Sequence, residues 1–167
     1  AGTLSPFALV REVREFFDGP IALSGSISEG SWVLSALALG ADFAYVGTKF
    51  IATEEANASP GYKQMIIDST ADDIMYSATF TGVNGNYLRP SVEAAGLNPE
   101  EHTSGSKDDM NFSTSAIAKK DNSSKAWKDI WGSGQGIGTI KDAPSVQTAV
   151  DQMVSEYEEA KSRLDNF

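Results

Sequence analysis

The sequence predicts an α/β fold with parallel strands. Three observations lead there. Residues 5–47 read helix, strand, helix, strand; both strand segments are short continuous apolar runs; and each strand runs into a turn that carries glycine. Alternation of this kind specifies parallel strands joined by crossover helices, and a strand covered on both faces reads as an unbroken apolar run. Of the 167 residues, 41% are apolar and 22% charged, a globular composition with enough chain for a sizeable core.

The elements follow in order. Ser5 is placed to cap a helix and Pro6 to occupy its first position. Phe7, Val10, Val13 and Phe17 then recur at helical spacing, with Arg11, Glu12, Arg14 and Glu15 on the other face. Asp18-Gly19-Pro20 stops this helix, and Ile21-Ala22-Leu23 is the first strand. Residues 25–30 form a glycine- and serine-rich turn. A second helix carries Val33, Leu34, Leu37 and Leu39 and ends at Gly40. Asp42-Phe43-Ala44-Tyr45-Val46-Gly47 is the second strand.

Beyond Gly47 the pattern changes. Residues 48–55, 60–68 and 87–95 read as short helices, and residues 74–80 as the only further strand. Residues 98–125 are polar and read as a surface excursion. The last helix is the clearest, with Pro144 in its first turn and Val146, Val150, Met153, Tyr157 and Leu164 on its apolar face. Two parallel strands do not make a stable sheet alone, so the α/β architecture is expected to be incomplete as given. The opening Ala1-Gly2-Thr3-Leu4-Ser5-Pro6 reads as the middle of a loop.

Charge and composition narrow the chemistry. A net charge of −10 disfavours nucleic acid and anionic membranes as partners. No run approaches the ~18 consecutive apolar residues of a membrane span. The absence of cysteine removes disulfides, thiolate metal sites and cysteine nucleophiles, and is compatible with the expected cytoplasmic location. His102 is the only histidine, so a zinc centre is not expected; it reads as a surface residue. The paired carboxylates Glu54-Glu55 and Asp72-Asp73 read as solvated charge. Phe112, Trp127 and Trp131 read as core or interface aromatics.

Two turns are candidate ligand sites. Leu23-Ser24-Gly25-Ser26-Ile27-Ser28-Glu29-Gly30 follows a strand and opens a helix, whose N-terminus presents free N–H groups to an anion. Tyr45-Val46-Gly47-Thr48 ends the next strand. Either turn alone needs glycine for its shape; together, on neighbouring parallel strands, they favour phosphate binding. The run Gly132-Ser133-Gly134-Gln135-Gly136-Ile137-Gly138 follows no predicted strand and no Lys-Ser/Thr pair follows it. It is therefore neither a dinucleotide fingerprint nor a P-loop, and reads as a turn before the last helix.

At this point the residues resemble a known family. Leu37-Ala38-Leu39-Gly40-Ala41-Asp42 leading to Gly47-Thr48-Lys49-Phe50-Ile51-Ala52-Thr53-Glu54-Glu55 is similar to a pattern of the nitronate monooxygenases, also called 2-nitropropane dioxygenases. Ser59-Pro60-Gly61-Tyr62-Lys63-Gln64, Thr79-Phe80-Thr81-Gly82, Tyr87-Leu88-Arg89-Pro90-Ser91 and Trp131-Gly132-Ser133-Gly134-Gln135-Gly136-Ile137-Gly138 also follow that family. The resemblance implies the C-terminal portion of an FMN-binding (β/α)₈ TIM barrel with an inserted smaller α+β domain. It divides the chain into residues 1–55 with the last two barrel strands, 56–130 as the inserted domain over the active site, and 131–167 as the glycine-rich turn and final helix.

The resemblance also implies that FMN is held by Gly2, Gly25, Ser26, Tyr45, Val46, Gly47 and Thr48. Ser26 departs from the family, which has glycine there; a backbone N–H contact survives serine, whereas a demand for positive φ would not. The implied activity is FMN-dependent oxidation of an alkyl nitronate with dioxygen to a carbonyl compound and nitrite. The family's catalytic histidine belongs to a Gly-Gly-His motif that directly precedes a segment like Ala1-Gly2-Thr3, so no catalytic residue and no metal ligand is expected in this chain, which is expected to be inactive alone. Expected partners are the nitronate and dioxygen, with a homodimer left open. The alternatives are an FMN-dependent enoyl-acyl-carrier-protein reductase of the same superfamily and a non-catalytic binding fragment.

Overall fold

A computed structural model describes residues 2–102 and 129–166. Helix α1 spans Pro6–Arg14 with Ser5 as its cap, the Ser5 hydroxyl accepting from the Phe7 N–H at 3.3 Å. Strand β1 (Ala22–Ser24) pairs in parallel with β2 (Phe43–Tyr45), in the register Ala22↔Phe43, Leu23↔Ala44, Ser24↔Tyr45. Helix α2 (Gly30–Ala38) makes the crossover, and the chain leaves it through Gly40 at φ +104°. Arg14 locks the end of the sheet remote from the glycine turns. Its guanidinium donates to the carbonyls of Gly40 at 2.8 and 3.0 Å and of Gly19 at 2.6 Å, and to the Asp42 carboxylate at 2.7 Å. The Ile21 N–H also donates to that carboxylate, at 2.8 Å. This backbone bond first, and Arg14 second, hold the Asp42 carboxyl below its ordinary value.

The first hydrophobic cluster consists of Val10, Leu23, Ile27, Ala36 and Ala41. It uses less of the apolar stripes than their periodicity predicts. Phe7 is 69% exposed and Phe17 43%, although both belong to the predicted core face of α1. The outward residues of the sheet, Phe43 and Tyr45, are also exposed.

The last helix, α6 (Val146–Leu164), packs along α2. Ser145 caps it, accepting from the Thr148 N–H at 3.1 Å, so Pro144 lies outside the helix rather than in its first turn. Its inward face also differs from expectation. Ala149 and Ala160 are buried, whereas Val146, Val150 and Val154 are exposed. Two helices that nearly touch need small residues at the contact, and the larger β-branched side chains are turned away. The closest point is Gly30, where a Cβ would lie 1.8 Å from the Met153 carbonyl oxygen.

The remaining elements pack around two further hydrophobic clusters. Helix α3 (Thr48–Ile51) is shorter than the predicted 48–55, because its end is tied off by side chains. The Thr53 hydroxyl donates to Phe50 O at 2.8 Å, and Lys63 Nζ donates to the Thr53 and Glu54 carbonyls at 2.6 and 3.1 Å. Helix α4 (Pro60–Asp68) forms as predicted, with Ser59 as its cap. Strands β3 (Ile74–Ser77) and β4 (Gly85–Leu88) make an antiparallel hairpin. This corrects two expectations: β3 stops at Ser77 rather than residue 80, and Tyr87 and Leu88 are strand residues. Pro90 fits only the first turn of a helix, so α5 (Arg89–Ala94) begins beside it.

A bridge between Tyr87 and Gly132, with Leu88 N–H donating to Trp131 O and Ser133 N–H to Asn86 O, lays residues 131–133 along β4. The second cluster, Ala52, Ile66, Leu88, Ile137 and Ile140, therefore draws on all three sequence segments. A third, Met75, Phe80 and Val92, lies under the hairpin. The carboxylate pairs are not merely solvated. Asp73 accepts from the Thr70 N–H in a capping box, and Glu55 accepts from the Val146 N–H at the start of α6. Pro99–His102 is a short 3₁₀ turn; the exposure of His102, and Phe112, Trp127 and most of residues 98–125, lie outside the described residues. No helix among the described residues is long and apolar enough to cross a membrane.

Candidate functional site

The two glycine turns meet at one end of the parallel pair. Together with part of the 132–138 run they enclose a concavity of about 130 Å³ lined by residues 24–28, Tyr45, Gly47, Thr48, Gly134 and Gly136. That is well below the ~300–1,000 Å³ of a pocket that swallows a whole drug-sized ligand, and fits a small group such as a phosphate. Of the seven residues singled out from the sequence, Gly25, Ser26, Tyr45, Gly47 and Thr48 line it. Val46 instead points toward the first hydrophobic cluster, and Gly2 is exposed and does not line it.

The lining suits an anion. Every lining residue is uncharged, so no carboxylate opposes a negative ligand. A Cβ built on Gly25 or Gly47 would meet nothing within 4 Å, so a ligand can approach the backbone at both. The N–H groups of Phe50 and Ile51 return to Gly47 O at 3.0 and 3.2 Å. Those of Thr48 and Lys49, in the first turn of α3, have no helical acceptor. The Thr48 hydroxyl oxygen accepts from Gly134 N–H at 2.9 Å, which leaves its own proton for an acceptor in the pocket. The Ser28 hydroxyl, buried, donates to Gly136 O at 2.7 Å and so occupies a carbonyl that would otherwise repel an anion.

One sequence expectation is corrected here. The N-terminus of α2 does not present a free N–H at Gly30. The Glu156 carboxylate of α6 accepts from it at 2.7 Å, so the protein's own charge fills that end of the helix. The anion-compatible surface lies before α2, on the turn itself.

Ser26 occupies the left-handed region, at φ 61°, directly after Gly25 at φ 104°. The position does demand positive φ, and serine adopts it at a steric cost of roughly 1–2 kcal/mol. Ser26→Gly removes that cost but adds ~0.5–1 kcal/mol of unfolded-state entropy. We expect a net stabilisation of about 0.5–1 kcal/mol, read from urea midpoints. A clear loss of stability would show that the serine side chain contributes more than its backbone costs.

Sequence reasoning missed Gly134 and Gly136 as wall residues. The signal was present but looked disqualified, because no strand was predicted before the run. Residues 131–133 in fact lie along β4, and the run then turns through a 3₁₀ segment, Gln135–Thr139, against the first turn. A Cβ on Gly136 would lie 2.4 Å from Ser26 O. Among the described residues no cluster could hold a metal ion.

The nitronate monooxygenase family model matches residues 1–156. A nitronate monooxygenase of Paraburkholderia phytofirmans is 31% identical over 96 residues, covering 58% of this chain and 26% of its own length. A probable nitronate monooxygenase of Staphylococcus aureus is 28% identical over 104 residues, 59% of this chain and 28% of the relative. Among solved structures, FabK from Thermotoga maritima superposes at a TM-score of 0.71 with 24% identity, covering 99% of this chain and 52% of that one. Nitroalkane oxidase from Streptomyces ansochromogenes gives 0.71 and 24%, over 96% of this chain and 46% of that one. The chain thus spans about half of these solved structures, and its fold is a portion of the (β/α)₈ barrel they share. The match over nearly all of its length shows that this chain belongs to the nitronate monooxygenase family.

Proposed function

We propose that the concavity at Gly25–Ser26 and Gly47–Thr48 takes the phosphate of FMN, and that the chain serves a flavin-dependent oxidoreductase acting on alkyl nitronates. In that reaction a nitronate and dioxygen give a carbonyl compound and nitrite. One observation carries the reading: two glycine turns on neighbouring parallel strands form an uncharged, donor-lined hollow open to solvent at both glycines. Bound flavin would supply the redox chemistry. The chain's own part is to fix one end of the cofactor through backbone N–H groups and the Thr48 hydroxyl, with Tyr45 at the rim. No described residue is given an acid–base role. The hollow is too small to enclose a flavin ring system, so the remaining contacts must come from outside it.

The test is oxygen uptake by the complete protein with an alkyl nitronate after FMN loading. Nitronate-dependent uptake with nitrite release is the expected result. NAD(P)H-dependent reduction of an enoyl thioester without nitronate oxidation would overturn the substrate assignment while leaving the flavin site intact. The 167-residue chain alone is expected to show no turnover. Stoichiometric FMN with nitronate oxidation by that chain would contradict this.

A further inference from the structure

The segment Ser59-Pro60-Gly61-Tyr62-Lys63-Gln64 lies outside the pocket, yet its tyrosine is tied to the pocket's third wall. The Tyr62 hydroxyl donates to the Gly132 carbonyl, and its ring stacks on Trp131 with centroids 5.0 Å apart and planes 16° from parallel. Burial raises the Tyr62 hydroxyl above its ordinary value, which keeps it a donor. Trp131 is held further by its backbone N–H, which donates to Ser91 Oγ at 3.0 Å. Two residues after Gly132, the Gly134 N–H reaches Thr48 Oγ1. Two residues further, Gly136 lies against Ser26 and accepts from Ser28. The wall has no strand of its own beneath it. Its near end, at Gly132, is held by the bridge to β4 and by Tyr62.

We propose that Tyr62 is a positioning residue of the phosphate pocket: by anchoring Gly132 it sets where Gly134 meets Thr48 and Gly136 meets Ser26. The inference rests on the phosphate reading above. It assigns the tyrosine of this motif to the cofactor site rather than to general packing, and it explains why an anchor distant in sequence should alter phosphate affinity.

The experiment uses Tyr62→Phe, which keeps the ring on Trp131 and removes only the hydroxyl, with Gln64→Ala on the exposed face of α4 as control. Amide hydrogen exchange is followed at Gly134 and, as a reference at the C-terminal cap of α2, at Leu39, whose N–H donates to Ser35 O. FMN and riboflavin, which differ only in the phosphate, are titrated in parallel. Tyr62→Phe should speed exchange at Gly134 about tenfold with Leu39 unchanged, and should reduce the preference for FMN over riboflavin about tenfold, the scale of one hydrogen bond. Loss of global stability would instead accelerate both amides and weaken both flavins alike, and that result overturns the proposal. So does an unchanged Gly134 amide or an unchanged FMN preference. If the native chain shows no preference for FMN over riboflavin, the phosphate reading itself fails, and the positioning role fails with it.

Discussion

Gly30→Ala is expected to lower stability by about 3–5 kcal/mol, a large share of the ~5–15 kcal/mol that holds a domain together. A new Cβ would sit 1.8 Å from Met153 O and 2.6 Å from Tyr157 N, both backbone atoms that cannot rotate away. The helices must separate, and forced overpacking typically costs about 1–3 kcal/mol. Separation also lengthens the 2.7 Å bond from Gly30 N–H to Glu156, a charge-assisted contact worth ~1.5–3 kcal/mol. Helix propensity acts the other way, since alanine exceeds glycine by ~1 kcal/mol in a helix interior, but it is the smaller effect. Urea unfolding measures the outcome; a midpoint equal to or above that of the native chain would refute this account of the α2–α6 contact.

That contact also shows where sequence reading ends. The helix-strand alternation, the cap at Ser5, the stop at Gly40 and the parallel pairing are patterns with a single reading. The face of α6 is different. Its valines and alanines fit an apolar stripe equally well, and only the closeness of Gly30 decides that Ala149 faces inward while Val150 does not. Likewise, Glu156 and Glu55 look like solvated charges until the chain places backbone N–H groups beside them, 126 and 91 residues away in sequence. The candidate site divides in the same way. Gly25, Ser26, Gly47 and Thr48 follow strands directly, so their role is visible as strand-end chemistry. Gly134 and Gly136 reach the pocket through a bridge to β4, whose Gly85-Asn86-Tyr87-Leu88 carries little β-pattern and whose Tyr87 and Leu88 the sequence assigns to a helix over residues 87–95. An error at β4 therefore concealed the third wall.

Gly136→Ala tests that wall most directly and should reduce FMN affinity about a hundredfold while costing roughly 2–3 kcal/mol of stability. The new Cβ would lie 2.4 Å from Ser26 O, 2.8 Å from Ser26 C and 2.9 Å from Ser28 Oγ. Ser26 already sits in the left-handed region, so its peptide has little freedom to yield, and the 135–139 turn is the part that must move. Its movement breaks the 2.7 Å bond from Ser28 to Gly136 O and pulls Gly134 N–H from Thr48. The Gly136 carbonyl, left with only the 3.3 Å bond from the Thr139 hydroxyl, and the displaced Thr48 hydroxyl then act against a bound phosphate, so the affinity loss should exceed the tenfold expected from one hydrogen bond. Parallel titrations with FMN and riboflavin separate the effects, because damage confined to the phosphate pocket spares riboflavin. If FMN binding survives Gly136→Ala at native strength while stability falls as expected, the 132–138 run is a structural turn and the pocket has only two walls.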